Sequence, residues 1–139
     1  MTHCNSEPLD FSTLGAKKVR ADFLGGRLTT DAGALLLREI ADAIGLFDAL
    51  DDAIPDPRHP VFTVHDQKAM LAQRVIAIAL GYEDLNDHQT LRGDPVLQIA
   101  AGRAPEPELP LASPPTLCRL ENRVDRQALV KIAEVLVDQ

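Results

Sequence analysis

The sequence predicts a mainly α-helical bundle that carries one short β-hairpin near its N-terminus. Three observations favour this fold class. Apolar residues recur at helical spacing in residues 31–139, glycines and prolines punctuate these stretches, and strand-like alternation is confined to residues 16–30. With 139 residues, of which 45% are hydrophobic, the chain is long enough to bury one core. We therefore expect one domain, or one part of a larger domain.

The N-terminal segment divides into a tail and a hairpin. Residues 1–15 are mostly polar and show no periodicity, so we expect a flexible tail. Alternation over residues 19–23 then predicts a strand, and two consecutive glycines followed by the segment RLTT predict a turn and a second strand within residues 16–30. Two strands alone are only marginally stable in water. We therefore expect this hairpin to join a sheet supplied by residues that the sequence does not contain.

The first predicted helix begins at Thr30 or Asp31, either of which can act as the N-cap, and ends at Gly45. The segment LFDAL that follows adds one further turn. A loop is expected over residues 51–62, because three prolines in six residues remove backbone donors and helical angles. The apolar stripe of the first helix consists of Leu36, Leu37, Ile40, Ala41 and Ile44.

A central helix is predicted to follow this loop. Thr63 and Asp66 have the spacing of a capping box, in which both side chains bind backbone N–H groups at the start of a helix. The far end of this helix, residues 75–80 with the sequence VIAIAL, is apolar on every side before Gly81. We therefore expect this helix to run through the middle of the core.

Four shorter helices complete the predicted bundle. One spans Asn86 to Leu91, and the next has Asp94 as its N-cap, Pro95 at its first position and Gly102 after its end. An extended, proline-rich connection then leads to the last two helices. These begin after the N-caps Ser113 and Asp125, and the apolar stripe of the last one consists of Leu129, Ile132, Ala133 and Leu136.

The chain is acidic, with 14 Lys and Arg against 21 Asp and Glu and a net charge of −7. An autonomous DNA-binding module is expected to be basic, so we do not expect strong DNA binding by this chain alone. Acidic residues are concentrated in residues 31–60, which leaves local basic faces near both ends. The candidate DNA-binding residues are Lys17, Lys18, Arg20 and Arg27 around the hairpin, and Arg119, Arg123 and Arg126 in the last two helices.

An acidic cluster with one imidazole, Glu83 to His88, raises the question of a metal site. Only residues three or four apart share a helix face, so Asp84 pairs with Asp87 or His88, which is too few oxygen ligands for a hard cation. Helix capping, or ordering of the turn after the central helix, explains these residues more simply. A metal-dependent enzyme is the weakest interpretation, and no catalytic or metal-binding residue is assigned.

No targeting or membrane segment is predicted. The N-terminus lacks a basic region followed by an apolar stretch, and the longest apolar run, residues 75–80, is far shorter than the roughly 20 residues that span a bilayer. Two cysteines far apart in sequence indicate neither a zinc site nor a disulfide framework. We therefore expect a soluble cytoplasmic protein without a membrane partner.

Three blocks carry a resemblance to a known family: LTTDAGALLLREI from Leu28 to Ile40, the run from Ile76 to Gly102, and LASPPTLCRLEN from Leu111 to Asn122. Together they resemble the N-terminal region of a group of bacterial insertion-sequence transposases. The resemblance implies a catalytic domain with an RNase H-like fold, a DDE carboxylate triad and Mg²⁺ as its cofactor. In that family the first catalytic aspartate follows the helix after the LEN block, so we expect that this chain holds the N-terminal region without the triad.

The resemblance also implies partners. Such transposases recognise terminal inverted repeats and assemble on paired DNA ends, and the N-terminal region is expected to contribute to inverted-repeat binding or to assembly. Whether the chain has enzymatic activity stays open, and we expect inactivity for the chain alone. The alternative is a small acidic helical module that binds proteins, and that self-associates or pairs with and inhibits full-length transposase.

Overall fold

A computed structural model describes residues 8–21, 29, 31–106 and 108–138. These residues form a mainly α-helical bundle with one two-stranded antiparallel sheet, which confirms the predicted fold class. The strands are β1 (Leu9–Leu14) and β2 (Lys17–Ala21). The helices are α1 (Ala34–Ala43), α2 (Leu46–Ala53), α3 (Gln67–Ala79), α4 (His88–Leu91), α5 (Pro95–Ala100), α6 (Pro114–Arg123) and α7 (Arg126–Val137), with short 3-10 helices at Pro60–Phe62 and Leu85–Asp87.

The hairpin lies earlier in the chain than the sequence predicted. Strand β1 occupies residues for which we expected a flexible tail, and the turn to β2 is made at Gly15, whose φ of +59° favours glycine. Strand β1 forms because apolar and polar residues alternate over residues 9–12, which brings Phe11 opposite Val19 of β2. The predicted glycine turn and most of the segment RLTT lie outside the described residues.

The hairpin is attached to α1. The backbone N–H and the hydroxyl of Ser12 both donate to the Glu39 carboxylate, each at 2.6 Å. These hydrogen bonds hold the pKa of the Glu39 carboxyl below its ordinary value. In the part of the chain that the structure describes, the sheet has only these two strands, so α1 supplies the contact that stabilises them.

The buried face of α1 differs in part from the predicted stripe. Leu36 and Ile40 are about 60% exposed, whereas Ala41 is buried and Leu37 is partly buried against the core, as predicted. The rest of the buried face consists of Ala34, Leu35 and Arg38, which the predicted stripe did not include. The helix also starts later than predicted, with Gly33 as its N-cap.

The same displacement occurs in α7. Leu129 and Leu136, which the sequence placed in the apolar stripe, are exposed. Ala128 is buried and Ile132 and Val135 are partly buried against the core cluster, where α7 contacts α2. The N-cap is as predicted, because the Asp125 side chain accepts a hydrogen bond from the Ala128 N–H at 2.8 Å.

Helix α3 is central, as predicted, and contacts α1, α2, α5 and α6. Its start differs from the predicted capping box. Asp66 is the N-cap and accepts from the Ala69 N–H at 2.7 Å, whereas the Thr63 hydroxyl donates to the His59 carbonyl at 3.0 Å. Thr63 lies outside the helix because the preceding 3-10 turn uses its hydroxyl. Helix α5 begins as expected, since Asp94 accepts from two backbone N–H groups.

A buried polar cluster joins α3 to α4 and to the extended connection before α6. The Gln73 side-chain amide exchanges two hydrogen bonds with the backbone of Ala112, each 3.0 Å long. Its second N–H points at the His88 Nδ1 atom, also at 3.0 Å. Nδ1 must therefore act as an acceptor, which places the proton of the neutral ring on Nε2. All three residues are almost completely buried.

This cluster predicts a pH-dependent stability. Burial, and to a smaller extent the nearby Arg74 guanidinium, lowers the pKa of His88. As the pH falls, the imidazole of His88 therefore gains its second proton in the unfolded chain before it does so in the folded chain. The free energy of unfolding should then decrease as the pH falls below about 6.5. Replacement of His88 by asparagine, which keeps an acceptor towards Gln73, should flatten that decrease by at most about 1.4 kcal/mol per pH unit. Urea unfolding of both proteins between neutral and mildly acidic pH measures the difference, and identical slopes would contradict the assignment.

Candidate nucleic-acid interface

An open groove of about 670 Å³ lies between the segment from Arg58 to His65 and helix α6. One wall is the loop that precedes α3, and the other is formed by two side chains of α6. The residues that line the groove are Arg58, His59, Phe62, Thr63, Val64, His65, Thr116 and Arg119. The groove thus combines cationic, imidazole and aromatic side chains, which are the groups that bind phosphates and bases.

The loop wall is built around a 3-10 turn at Pro60–Phe62. The His59 ring accepts a hydrogen bond from the Val61 N–H at 3.3 Å, and the Thr63 hydroxyl donates back to the His59 carbonyl. Proline at the first position fixes the backbone angle of the turn. The turn therefore holds its large apolar side chains outward, and Phe62 is 82% exposed.

Arg58 fixes the base of this loop. Its guanidinium donates to the His65 carbonyl at 2.8 Å and to both oxygens of the Asp56 carboxylate, at 2.6 Å for the shortest contact. These hydrogen bonds lower the pKa of Asp56 to about 2. Arg58 therefore has two roles, because it lines the groove and holds the loop closed on itself.

Arg123, a predicted DNA-binding residue, is turned into the protein. One of its N–H groups donates to Asp56 at 3.1 Å, and another donates to the side-chain oxygen of Gln67. Gln67 in turn donates to the Ile54 carbonyl at 2.7 Å. Arg123 thus fastens α6 to both ends of the loop. These contacts engage its two terminal nitrogens with protein acceptors, while its Nε is buried without a partner. Contact of Arg123 with phosphate stays a prediction.

A group of cations surrounds His65. The Arg103 guanidinium lies 3.1 Å from the His65 Nδ1 atom, and burial together with the charges of Arg103 and Arg92 lowers the pKa of His65. The ring is therefore neutral at neutral pH and accepts from Arg103. Within the described residues, Arg92, Arg103 and Arg119 form no ion pair. Their charge remains available to an anion from outside.

The candidates near the hairpin are differently placed. Arg20 binds the Asp10 carboxylate at 2.7 Å, and the Lys17 amino group lies 4.0 Å from Glu106. Lys18 is exposed on the same strand, and Arg27 lies outside the described residues. Two of the hairpin cations are therefore compensated by acids.

Of the candidates in the last two helices, Arg119 lines the groove, whereas Arg126 lines a separate surface of α7 together with Val130 and Lys131. Sequence reasoning missed Arg58, Arg92 and Arg103. Their approach to one another depends on the packing of α3, α5 and α6. A usable local signal was the sequence PRHPVF, in which basic and apolar residues share a proline-rich loop.

The acidic cluster after α3 has a structural role. Asp84 caps the short 3-10 helix by accepting from the Asn86 N–H at 2.9 Å, and His88 is buried against Gln73. The Arg74 guanidinium donates to the Tyr82 and Glu83 carbonyls, which orders the turn. Among the described residues, no three His, Cys, Asp or Glu side chains lie close enough together to hold a metal ion.

No described helix has the length and apolar character required to cross a bilayer.

Comparison with known proteins agrees with the resemblance that the sequence blocks carried. No curated protein and no solved structure matches the chain. A family model described as "Transposase DDE domain group 1" matches residues 11–139, which includes the hairpin except its first two residues, all the described helices and the groove. The chain therefore belongs to the DDE transposase family.

Proposed function

We propose that this chain contributes DNA binding to transposition and that the groove between the loop and α6 contacts the DNA backbone at the inverted repeats. The observation that carries the proposal is an exposed guanidinium, Arg119, that forms no ion pair among the described residues and lines the same groove as Arg58, two imidazoles and an aromatic ring. Arg103 lies outside the groove and contacts the groove residue His65, at 3.1 Å from its Nδ1 atom. Phosphate oxygens are the acceptors that such guanidinium groups bind best.

The carboxylates near this surface do not pair with Arg119. Asp56 binds Arg58 and Arg123 and offsets the charge of Arg58, and Asp66 caps α3. Binding nevertheless has to overcome the net charge of −7, so a low affinity and a steep dependence on salt are expected. Strand cleavage is assigned to the DDE triad of the complete transposase with its Mg²⁺, and we propose that the chain alone binds without cutting.

Replacing Arg119 by alanine should weaken binding to a labelled duplex with the element's terminal repeat by roughly tenfold, the value of one charge-assisted hydrogen bond. The salt dependence should become shallower by about one counterion. Fluorescence anisotropy at several salt concentrations measures both changes. Lys131→Ala is the matched control, because it removes one exposed charge outside the groove. Equal weakening by the two variants would show that only net charge matters and would refute the groove.

A second function, assembly with another transposase chain, is favoured by one observation. Leu36, Ile40 and Ile44 lie one turn apart on α1 and are between 44% and 60% exposed, which makes an apolar stripe on the surface. Such a stripe fits a protein partner better than a phosphate backbone. Co-purification of the chain with the full-length enzyme, in the absence of DNA, would support assembly as the main role.

A further inference from the structure

Phe62 has the most exposed ring among the described phenylalanine and tyrosine residues. Among the other described phenylalanine and tyrosine residues, Phe47 is buried in the core, Phe11 is partly buried in the hairpin, and Tyr82 donates to the Asp31 carboxylate. Phe62 alone in this set is 82% exposed. Leaving a ring of this size in water forgoes roughly 2 kcal/mol of burial energy, so its exposure points to a role outside the fold.

The ring is presented in a defined position. The hydrogen bonds of His59 and Thr63 fix the backbone of the turn that carries Phe62. The His59 imidazole contacts the phenyl ring, with 5.3 Å between ring centroids and an angle of 46° between the planes. The tilted contact with His59 gives the phenyl ring one neighbour on the turn, and most of the ring remains accessible to a flat group from outside.

Charge identifies the kind of partner. Arg58 and Arg119 line the same groove as Phe62, and Arg119 forms no ion pair in the part of the chain that the structure describes. A polymer that offers both anionic groups and flat aromatic faces matches this combination, and nucleic acid has both in every nucleotide. An apolar protein surface would leave the exposed guanidinium of Arg119 without a partner.

We propose that Phe62, supported by His59, stacks on an unpaired base of DNA while Arg119 contacts the neighbouring phosphate. This inference rests on the proposed function and deepens it, because it adds a preference for DNA in which a base has left the duplex stack. Bases inside a duplex expose only their edges in the grooves, so a side-chain ring can cover a base face only where pairing or stacking is interrupted.

The test uses the whole chain and two labelled duplexes that both carry 2-aminopurine and differ only in the base opposite it, so that 2-aminopurine is paired in one duplex and unpaired in the other. The wild-type chain should bind the second duplex about tenfold more tightly, which is within the range of one base-stacking contact. Phe62→Ala should abolish the preference for the unpaired duplex, so that the ratio of the two affinities falls to about one, whereas Phe62→Trp should retain the preference. The fluorescence of 2-aminopurine should change on binding of wild type and Phe62→Trp only.

Val61→Ala is the matched control, since Val61 is equally exposed on the same turn but does not line the groove. Equal affinity of the wild-type chain for the two duplexes would overturn the inference, even if Arg119 proves necessary for binding the paired one. Equal weakening by Phe62→Ala and Val61→Ala would also overturn it and would indicate an apolar contact with a protein. If neither duplex binds, the proposed DNA-binding function fails as well.

Discussion

Replacing Gln73 by leucine is expected to lower the free energy of unfolding by about 3–5 kcal/mol. The change removes both partners of the Ala112 backbone and the donor that faces His88. Leucine fills most of the space, but it leaves an N–H, a carbonyl and an imidazole nitrogen buried without hydrogen bonds. Each unsatisfied group costs roughly 1–3 kcal/mol, which makes this loss larger than that of an ordinary surface contact.

Urea unfolding followed by circular dichroism measures this loss. Gln89→Leu is the matched control, because the same replacement is made at an exposed position on the neighbouring helix α4. It should change the free energy of unfolding by less than about 0.5 kcal/mol. If Gln73→Leu and Gln89→Leu had similar effects, the buried hydrogen bonds between α3 and the connection before α6 would not exist in solution.

Replacing Ile76 by alanine is expected to cost about 2–5 kcal/mol, the usual range for a large aliphatic side chain in a core. Ile76 is 2% exposed and belongs to the main core cluster. Ile78 lies two residues further along the same helix and is 46% exposed. The same replacement at Ile78 should cost less than about 1 kcal/mol, because much of its side chain is already in contact with water.

The two isoleucine variants form an internal comparison, since they have the same chemistry, helix and change in helix propensity. Thermal unfolding of both proteins under identical conditions gives the ratio of the two losses. A loss at Ile78 as large as that at Ile76 would mean that the outer face of α3 is covered in solution, for example by another copy of the chain.

This pair of residues also shows what local sequence can and cannot determine. The run of residues 75–80 is apolar on every side, so it predicts a helix near the core without showing which face is buried. Helices α1 and α7 show the same limitation. Their apolar side chains suggested stripes that were right only in part: Leu37 and Ile132 pack against the core, Leu36 and Leu129 are exposed, and Ala34 and Ala128 are buried in addition. Small residues permit close packing, and this depends on the partner helix, which a single segment does not reveal.

Features set by neighbouring residues were predicted more accurately. Asp94 and Asp125 cap α5 and α7 as expected, because the acceptor and the N–H groups lie within three residues of each other. The hydrogen bonds of Gln73 to Ala112 cross 39 residues and could not be derived from spacing. The presence of a hairpin was predicted correctly, but strand β1 was not placed at Leu9–Leu14. The alternation of apolar and polar residues in residues 9–12 is short, and such a segment is hard to distinguish from a polar tail.

The same distinction, between features set by neighbouring residues and contacts between residues far apart in sequence, applies to the candidate site. Arg119 and Arg123 were candidates because basic residues on a helix are visible in the sequence. The sequence did not show that Arg123 binds Asp56 and Gln67, which lie 67 and 56 residues away. Phe62 was not a candidate, since a loop predicted from prolines does not show which side chains it exposes. Contact of these residues with DNA stays a prediction.

The spacing of Arg119 and Arg123 on α6 has a mechanical consequence. Residues four apart lie on the same side of a helix, so the residue that faces the groove and the residue that fastens the loop are carried by one face of α6. Arg123 therefore joins α6 to Asp56 of the loop and to Gln67 in the first turn of α3. These hydrogen bonds tie one wall to the other, so the separation between the two walls should stay nearly constant.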